Sequence, residues 1–341
     1  MIRDLGHMLS IPRLETDRPI LVAPLNWGAG HATRCIPLIN ELMTSGHEVI
    51  LASDGLALDI LREHFPDLES HELPAWDMSY SRRNSQILSI LKQLPKVSQA
   101  IRAERKWLRE FLNQRTLGAV ISDNRYGLHD PSTLSILLTH QLRIIHPASR
   151  LGADRQLKKL IEAFDQCWIP DHIHQELSGE LSGTELSIPK HFIGPLSRMV
   201  PLHTHSSIPV LAVLSGIEPQ RSIMEEGLLD ILTDIPGSVL VSGSKNTKTR
   251  QHGQCKVLPF QSADELNRMI AASDIIICRS GYSTLMDLEA VGKTAILVPT
   301  PGQPEQEYLA QLHHNRSGFR TVRQSHLAQE LLPLLNGEKI N

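Results

Sequence analysis

From Pro19 onward, short and almost continuously apolar runs alternate with longer amphipathic stretches. Pro19–Leu25, His47–Ser53, Gly118–Ser122 and Leu142–His146 read as strands in the first half; Pro209–Ser215, Ser238–Gly243, Asp274–Cys278 and Thr294–Val298 do so in the second. Runs that are apolar at nearly every position suit strands of a parallel sheet covered by helices on both faces. Between them Ala32–Ser45, Gln86–Asn113, Gln220–Thr233, Ala263–Ala272 and Ser283–Val291 read as helices. The alternation occurs twice, on either side of a Pro/Ser/His-rich stretch, Gly194–Pro209, which reads as a linker. The pattern therefore predicts an α/β protein with two doubly wound parallel-sheet domains facing across a cleft. Their expected limits are a loose N-terminal extension over 1–18, a first domain over 19–200 and a second over 208–341.

Composition narrows the partners. A net charge of -3 and 4% aromatic residues argue against nucleic acid, which calls for a basic face and stacking rings. No apolar run approaches the roughly 20 residues that span a bilayer. The first eighteen residues are charged, broken by Gly6 and Pro12, and lack the apolar core of a signal peptide, so a cytoplasmic protein is expected. Cys35, Cys167, Cys255 and Cys278 are scattered without CxxC spacing and read as reduced core residues. Seventeen histidines include the pairs His172/His174, His203/His205 and His313/His314, none with a companion ligand set, so no metal is expected.

Ligands of doubly wound sheets bind beyond the carboxyl ends of the strands. After the first strand comes Asn26-Trp27-Gly28-Ala29-Gly30-His31-Ala32-Thr33-Arg34. Gly28 and Gly30 permit a tight turn, and His31 and Arg34 fall about one helical turn apart on one side. A dinucleotide fingerprint would want glycine at Thr33 and an acid near Asp54; the loop fits it poorly. His31 at a helix start is either a base working near neutral pH or a structural residue. Ser122-Asp123-Asn124-Arg125-Tyr126 follows the third apolar run, either as an acceptor-binding loop that assists His31 or as a capped turn.

The second half is the more telling. Asp274–Cys278 runs into Arg279-Ser280-Gly281 and straight into a helix, a strand–glycine–helix turn whose unpaired N–H groups and dipole favour an anion. Ser215-Gly216, followed by a helix start with Arg221, offers a second such turn. Asp287 and Glu289 are two apart on a helix and cannot share a face; Asp287, a turn beyond Gly281, is the better placed. Gln306 and Glu307 lie in the Pro/Gly loop after Thr294–Val298, suited to sugar hydroxyls. No Asp-x-Asp pair occurs anywhere, so a metal clamp for a diphosphate is missing and helix starts with Arg279 would carry that load. The basic stretch Ser85–Asn113 is either a membrane-surface helix or a core-packing one with a solvated back, interrupted by Pro95.

The segment Cys278–Pro299 with Pro304–Ala310 resembles the donor site and the following glutamine motif of the MurG-like group of GT-B glycosyltransferases, family 28 and its relatives. The resemblance is specific over about 258–318 and looser at Gly28–Arg34. It implies two Rossmann-like domains, a nucleotide-diphosphate sugar held by the second, and metal-independent inverting transfer with no cofactor. By position it places Ser215, Gly216, Arg279, Ser280 and Gly281 around the diphosphate and nucleoside, and Gln306 and Glu307 on the sugar. His31 then faces the acceptor side with Gly28, Gly30, Arg34, Asn124 and Tyr126. Asp287 stands where the group's pattern has Glu, one methylene longer. Gly30-His31-Ala32-Thr33-Arg34 also resembles the GHxxR pattern of GT-B-like nucleotide-sugar hydrolases of the pseudaminic acid pathway, whose histidine activates water.

The resulting expectation is a glycosyltransferase using a UDP-sugar, UDP-N-acetylglucosamine being one candidate, with His31 as base assisted by Asp123. Its acceptor would be a hydroxyl on a glycan or a lipid-linked molecule, the latter placing it at the inner face of the membrane. A hydrolase with water as acceptor and a non-catalytic nucleotide-sugar-binding protein are the rivals.

Overall fold

The computed structural model describes residues 9–76, 86–145, 152–216, 218–244, 247–314, 316 and 318–336, with backbone only for 86–94. The chain forms two compact units, 1–198 and 199–341.

In the first unit β1 (Ile20–Pro24), β2 (Val49–Ser53), β3 (Ser70–Glu72), β4 (Ala119–Asp123), β5 (Leu134–Leu138), β6 (Gln166–Ile169) and β7 (Lys190–Phe192) form a sheet in the order β3-β2-β1-β4-β5-β6-β7. Every pairing between them is parallel. Every residue of β1, β2 and β4 is buried, as runs without polar alternation require. The crossovers include α1 (Ala29–Thr44), α2 (Gly55–His64), α3 (Gln86–Gln114) and α4 (Ala153–Ile161). Leu108, Trp107, Phe111 and Leu112 of α3 pack on Leu21, Ala23, Ile50 and Val120 of the sheet, while Lys106 stays 77% exposed. The second half of α3 is thus a core-packing helix with a solvated back.

In the second unit β8 (Ile208–Val213), β9 (Val239–Val241), β10 (Arg250–His252), β11 (Cys255–Leu258), β12 (Ser273–Cys278), β13 (Ile296–Leu297) and β14 (Arg320–Thr321) are ordered β10-β11-β9-β8-β12-β13-β14. All pair in parallel except the β10–β11 hairpin at one edge. The helices are α5 (Gln220–Leu232), α6 (Ala263–Ala272), α7 (Tyr282–Ala290), α8 (Pro304–His313) and α9 (Leu327–Leu335). Leu228 and Leu232 of α5 share one buried cluster with Leu327 and Leu331 of α9 and with Val210 and Ala212 of β8. All four cysteines are free and buried.

Three expectations are corrected. The strand after β4 is Leu134–Leu138, not Leu142–His146; the earlier run pairs with both β4 and β6, whereas Leu142–Ile145 forms no strand and His146 lies outside the described residues. Pro95 does not interrupt α3, which continues through it, since a proline removes one rung and leaves the others available. Residues 9–18 are not a loose extension: the Ser10 N–H donates to the Ile193 carbonyl at 3.0 Å, and Leu14 is buried. Residues 1–8 lie outside the described set.

One buried network fixes the loops at the carboxyl edge of the first sheet. Arg125, fully buried, donates from Nε to the Pro24 carbonyl at 2.9 Å, from Nη2 to Asp54 Oδ1, and from Nη1 to Glu104 Oε1 at 3.0 Å. Glu104 also accepts from Trp76 Nε1 at 2.6 Å and from the Gly127 N–H at 3.0 Å. Asn26 Nδ2 donates to Asp54 at 3.2 Å, and its Oδ1 accepts from the Ala57 N–H at 3.2 Å. The ends of β1, β2 and β4 are thereby tied to α3. Burial raises the Glu104 carboxyl against the pull of Arg125 and Trp76.

Two substitutions test this arrangement. Removing one partner of a buried ion network strands the others, so Arg125→Met is expected to cost about 3–5 kcal/mol in urea unfolding; an unchanged midpoint would show that the network holds nothing. A methyl on Gly127 would run into the Ile101 carbonyl and the Glu104 side chain. Gly127→Ala should therefore lower stability by about 1–3 kcal/mol in thermal melts.

Candidate active site

In the first sheet the strand order reverses between β1 and β4, with β2 and β3 on one side and β5 to β7 on the other. Such a switch point opens a crevice at the carboxyl ends, because the flanking crossovers depart in opposite directions. Two elements deliver residues there. Gly28, with φ of 74°, ends the β1 loop and starts α1 without a side-chain cap; a residue with a side chain would be strained at that φ. His31 then lies in the first turn of α1 and Arg34 one turn on. Asp123 is the last residue of β4.

These three side chains meet. Asp123 Oδ2 lies 3.1 Å from His31 Nδ1 and accepts from Arg34 Nε at 2.8 Å, while Asp123 Oδ1 accepts from Arg34 Nη2. The same Nη2 is 2.9 Å from His31 Nδ1. With its proton on Nδ1 the ring donates to Asp123 and leaves Nε2 as a lone pair; with its proton on Nε2 it accepts from Arg34. His31 keeps 16% of its side-chain surface, against 1% for Asp123 and 3% for Arg34. Burial lowers the His31 imidazole below its ordinary value, and Arg34 adds to this, while Asp123 opposes it. Burial resists ionisation of Asp123, but Arg34 and His31 overcome it and hold the carboxyl well below the usual range. Burial, reinforced by Asp123, drives the Cys35 thiol far up, so it is no nucleophile.

Other expected residues of this half sit differently. Arg34 is buried on Asp123 rather than turned to an acceptor. Tyr126 packs its ring against the cluster of Leu137, Leu142, Ile161 and Phe164, and burial pushes its hydroxyl pKa up. Asn124 adopts φ of 58°, which asparagine tolerates, and its buried Oδ1 has no hydrogen-bond partner among the described residues. Gly30 lies inside α1, its carbonyl accepting from Thr33 Oγ1 at 3.2 Å. Asp54, the acid a dinucleotide fingerprint would call on, is held by Arg125 and Asn26. His140, just past β5, joins the group unannounced: its Nδ1 lies 3.5 Å from Arg34 Nη1. The signal was the polar pair Thr139-His140 closing the run 134–138, which placing the strand at 142–146 concealed.

The second sheet reverses between β8 and β12. From β8 the chain reaches Ser215 and Gly216, both exposed, Gly216 with φ of 98°, and then α5. From β12 it passes Arg279 and Ser280 into α7, with Gly281 as N-cap. Neither α5 nor α7 has a side-chain cap bond, whereas Ser262 and Glu265 form a full capping box on α6. Arg279 is 1% exposed; it donates to the carbonyls of Val298 at 3.1 Å, Pro299 at 3.3 Å and Gln220 at 2.8 Å. Burial lowers it to about 10, which leaves it a cation at neutral pH.

Arg279 thus braces the start of α5 and the loop after β13 from beneath, rather than reaching outward. Ser280 is likewise buried, its hydroxyl donating to the Gln306 carbonyl at 2.7 Å. Gln306 Oε1 accepts from the Thr300 N–H at 2.9 Å and Glu307 Oε1 from the Gly302 N–H at 2.8 Å, so both shape the 299–303 loop. Arg221 spans from Glu218 to the Gly243 carbonyl at 3.0 Å. Asp287 is half-buried on α7, one turn past Gly281.

Residues 239–335 match the glycosyltransferase family 28 C-terminal domain. The UDP-N-acetylglucosamine–N-acetylmuramyl-(pentapeptide) pyrophosphoryl-undecaprenol N-acetylglucosamine transferase of Nocardia farcinica is 36% identical over 140 residues, covering 37% of this chain and 36% of that protein. Among solved structures the glycotransferase of kitacinnamycin aligns with a TM-score of 0.66 at 13% identity, over 96% of this chain and 94% of its own. MurG of Acinetobacter baumannii aligns at 0.57 and 13% identity, over 94% and 90%. The chain thus has the two-unit GT-B fold of these solved structures, and its second unit carries a segment that matches glycosyltransferase family 28 and resembles MurG-type transferases.

Proposed function

We propose that the protein is a glycosyltransferase that moves a sugar from a UDP-sugar, of which UDP-N-acetylglucosamine is one candidate, to a hydroxyl acceptor with inversion and without a metal ion. The observation that carries this reading is the His31–Asp123–Arg34 group at the switch point of the first sheet. An imidazole kept neutral, oriented by a buried carboxylate and still partly exposed, is equipped to take a proton.

His31 Nε2 removes the acceptor hydroxyl proton as that oxygen bonds to the anomeric carbon; the bond to the diphosphate breaks, and its electron pair leaves with the nucleoside diphosphate. The second unit holds the donor. Its contribution is the pair of turns at Ser215-Gly216 and Gly281, where helix starts offer N–H groups to the diphosphate. The buried Arg279 cation, which pairs with carbonyls rather than a carboxylate among the described residues, adds fixed positive charge beneath them. Gln306 and Glu307 act on the sugar by shaping the loop that receives it, and Asp287 reaches the ribose. A lipid-linked or glycan acceptor fits this reading, and with it a place at the cytoplasmic face of a membrane. Among the described residues no helix is long and apolar enough to cross one.

The deciding experiment measures nucleoside diphosphate release from a panel of nucleotide sugars with EDTA present and no acceptor. Donor binding with negligible release supports transfer, whereas many turnovers with free sugar would make the protein a hydrolase whose His31 activates water. With the acceptor found, His31→Ala should lower turnover about 10²–10⁴-fold while donor affinity holds; full activity in that variant would remove His31 from the mechanism. EDTA should leave the rate unchanged, and a rate restored only by added divalent ions would overturn the metal-free reading.

A further inference from the structure

A carboxylate beside an imidazole ordinarily stabilises the imidazolium and makes the ring a stronger base. The surroundings of His31 depart from that pattern. Both oxygens of Asp123 already accept from one guanidinium, Oδ2 from Arg34 Nε at 2.8 Å and Oδ1 from Nη2. That fork is planar and matched to a carboxylate, so the two charges cancel at short range. The cancelling cation also stands against the ring itself, with Nη2 at 2.9 Å from His31 Nδ1. Solvent does not screen the group, since Arg34 and Asp123 are both buried. Among the described residues, the titratable groups facing His31 and its partners include Asp123 from β4, Arg34 and Cys35 from α1, Tyr126 from beyond β4, and His140 from beyond β5, whose Nδ1 lies 3.5 Å from Arg34 Nη1. Among these described residues, Asp123 is the one that carries a negative charge.

We propose that Arg34 is a positioning residue that neutralises Asp123, so that the carboxylate orients the His31 ring without making it a stronger base. Arg34 therefore acts through His31 and does not meet the acceptor. The lowered His31 imidazole, with burial and Arg34 outweighing Asp123, agrees with this charge arithmetic. The consequence is a base that stays unprotonated into mildly acidic solution, where an ordinary histidine–carboxylate pair would already be charged.

The inference deepens the proposed function, but its main test does not depend on turnover. Histidine resonances of the full chain, labelled with ¹³C and ¹⁵N, are titrated by NMR, the His31 signal being assigned by its loss in His31→Ala. In the unaltered protein His31 should titrate below the ordinary value of about 6.5. Arg34→Gln should raise that midpoint by about one unit, because the carboxylate is then unopposed; Arg34→Lys, which keeps the charge and loses the fork, should move it by less than about half a unit. A midpoint above about 6.5 in the unaltered protein, or no rise in Arg34→Gln, overturns the proposal. The first of these needs no Arg34 variant, so a misfolded Arg34→Gln leaves the proposal exposed to disproof. In the activity assay the acid limb of kcat/KM should follow the same shifts, with Arg34→Lys lowering kcat and leaving the limb in place. NMR shifts as expected without turnover in any form would count against the proposed function and not against this role of Arg34.

Discussion

A parallel strand can be reached only by a crossover, so every connecting helix in a parallel sheet starts at the same edge. That constraint governs both units of this protein. It gathers helix starts, loop glycines and polar side chains at the carboxyl ends of β1 and β4 in one unit and of β8 and β12 in the other. The edge is also where backbone groups lose their ladder partners, so something must be built to hold it. Each unit uses a buried arginine for this. Arg125 follows β4 and grips the Pro24 carbonyl at the end of β1. Arg279 follows β12 and grips the Gln220 carbonyl at the start of the helix that β8 feeds. The two occupy corresponding places in sheets of corresponding order, yet are satisfied differently: Arg125 by two carboxylates, Arg279 by carbonyls. The first sets two acids against one cation, and the second, among the described residues, pairs its cation with carbonyls.

The fold was readable where burial is complete. β1, β2 and β4 are buried at every position, and β8 and β12 over a central or carboxyl-terminal run, and their apolar runs say so. Edge strands carry less information: Ser70-His71-Glu72 and Lys190-His191-Phe192 are half-buried and mixed, and their strand state is set by the neighbour they pair with. The misplaced fifth strand is instructive. Leu134–Leu138 and Leu142–Ile145 are about equally apolar, and only pairing with β4 and β6 separates them.

The candidate site was readable as a list of residues more than as an arrangement. One-turn spacing correctly put His31 and Arg34 on the same side of α1. It could not say that Arg34 would turn inward, because that depends on Asp123, 89 residues away in the chain. The same limit applies to Arg279, Ser280 and Gln306. Their types suggested ligand contact, yet their hydrogen bonds run to carbonyls and N–H groups of neighbouring loops. Arginine, serine and glutamine suit a ligand and a loop equally well, and only tertiary geometry distinguishes the two uses.

The segment that carries the family likeness begins at Val239, the first residue of β9. The strand at the middle of that sheet, β8, precedes it and pairs with β9 on one side and β12 on the other. A fragment cut at the start of the likeness would therefore keep both outer halves of the sheet and lose the strand that joins them. It would expose two unpaired inner edges and strip α5 from its packing against α9. The border of the family likeness and that of independent folding thus differ in this chain, and a transplanted second unit must start no later than Ile208.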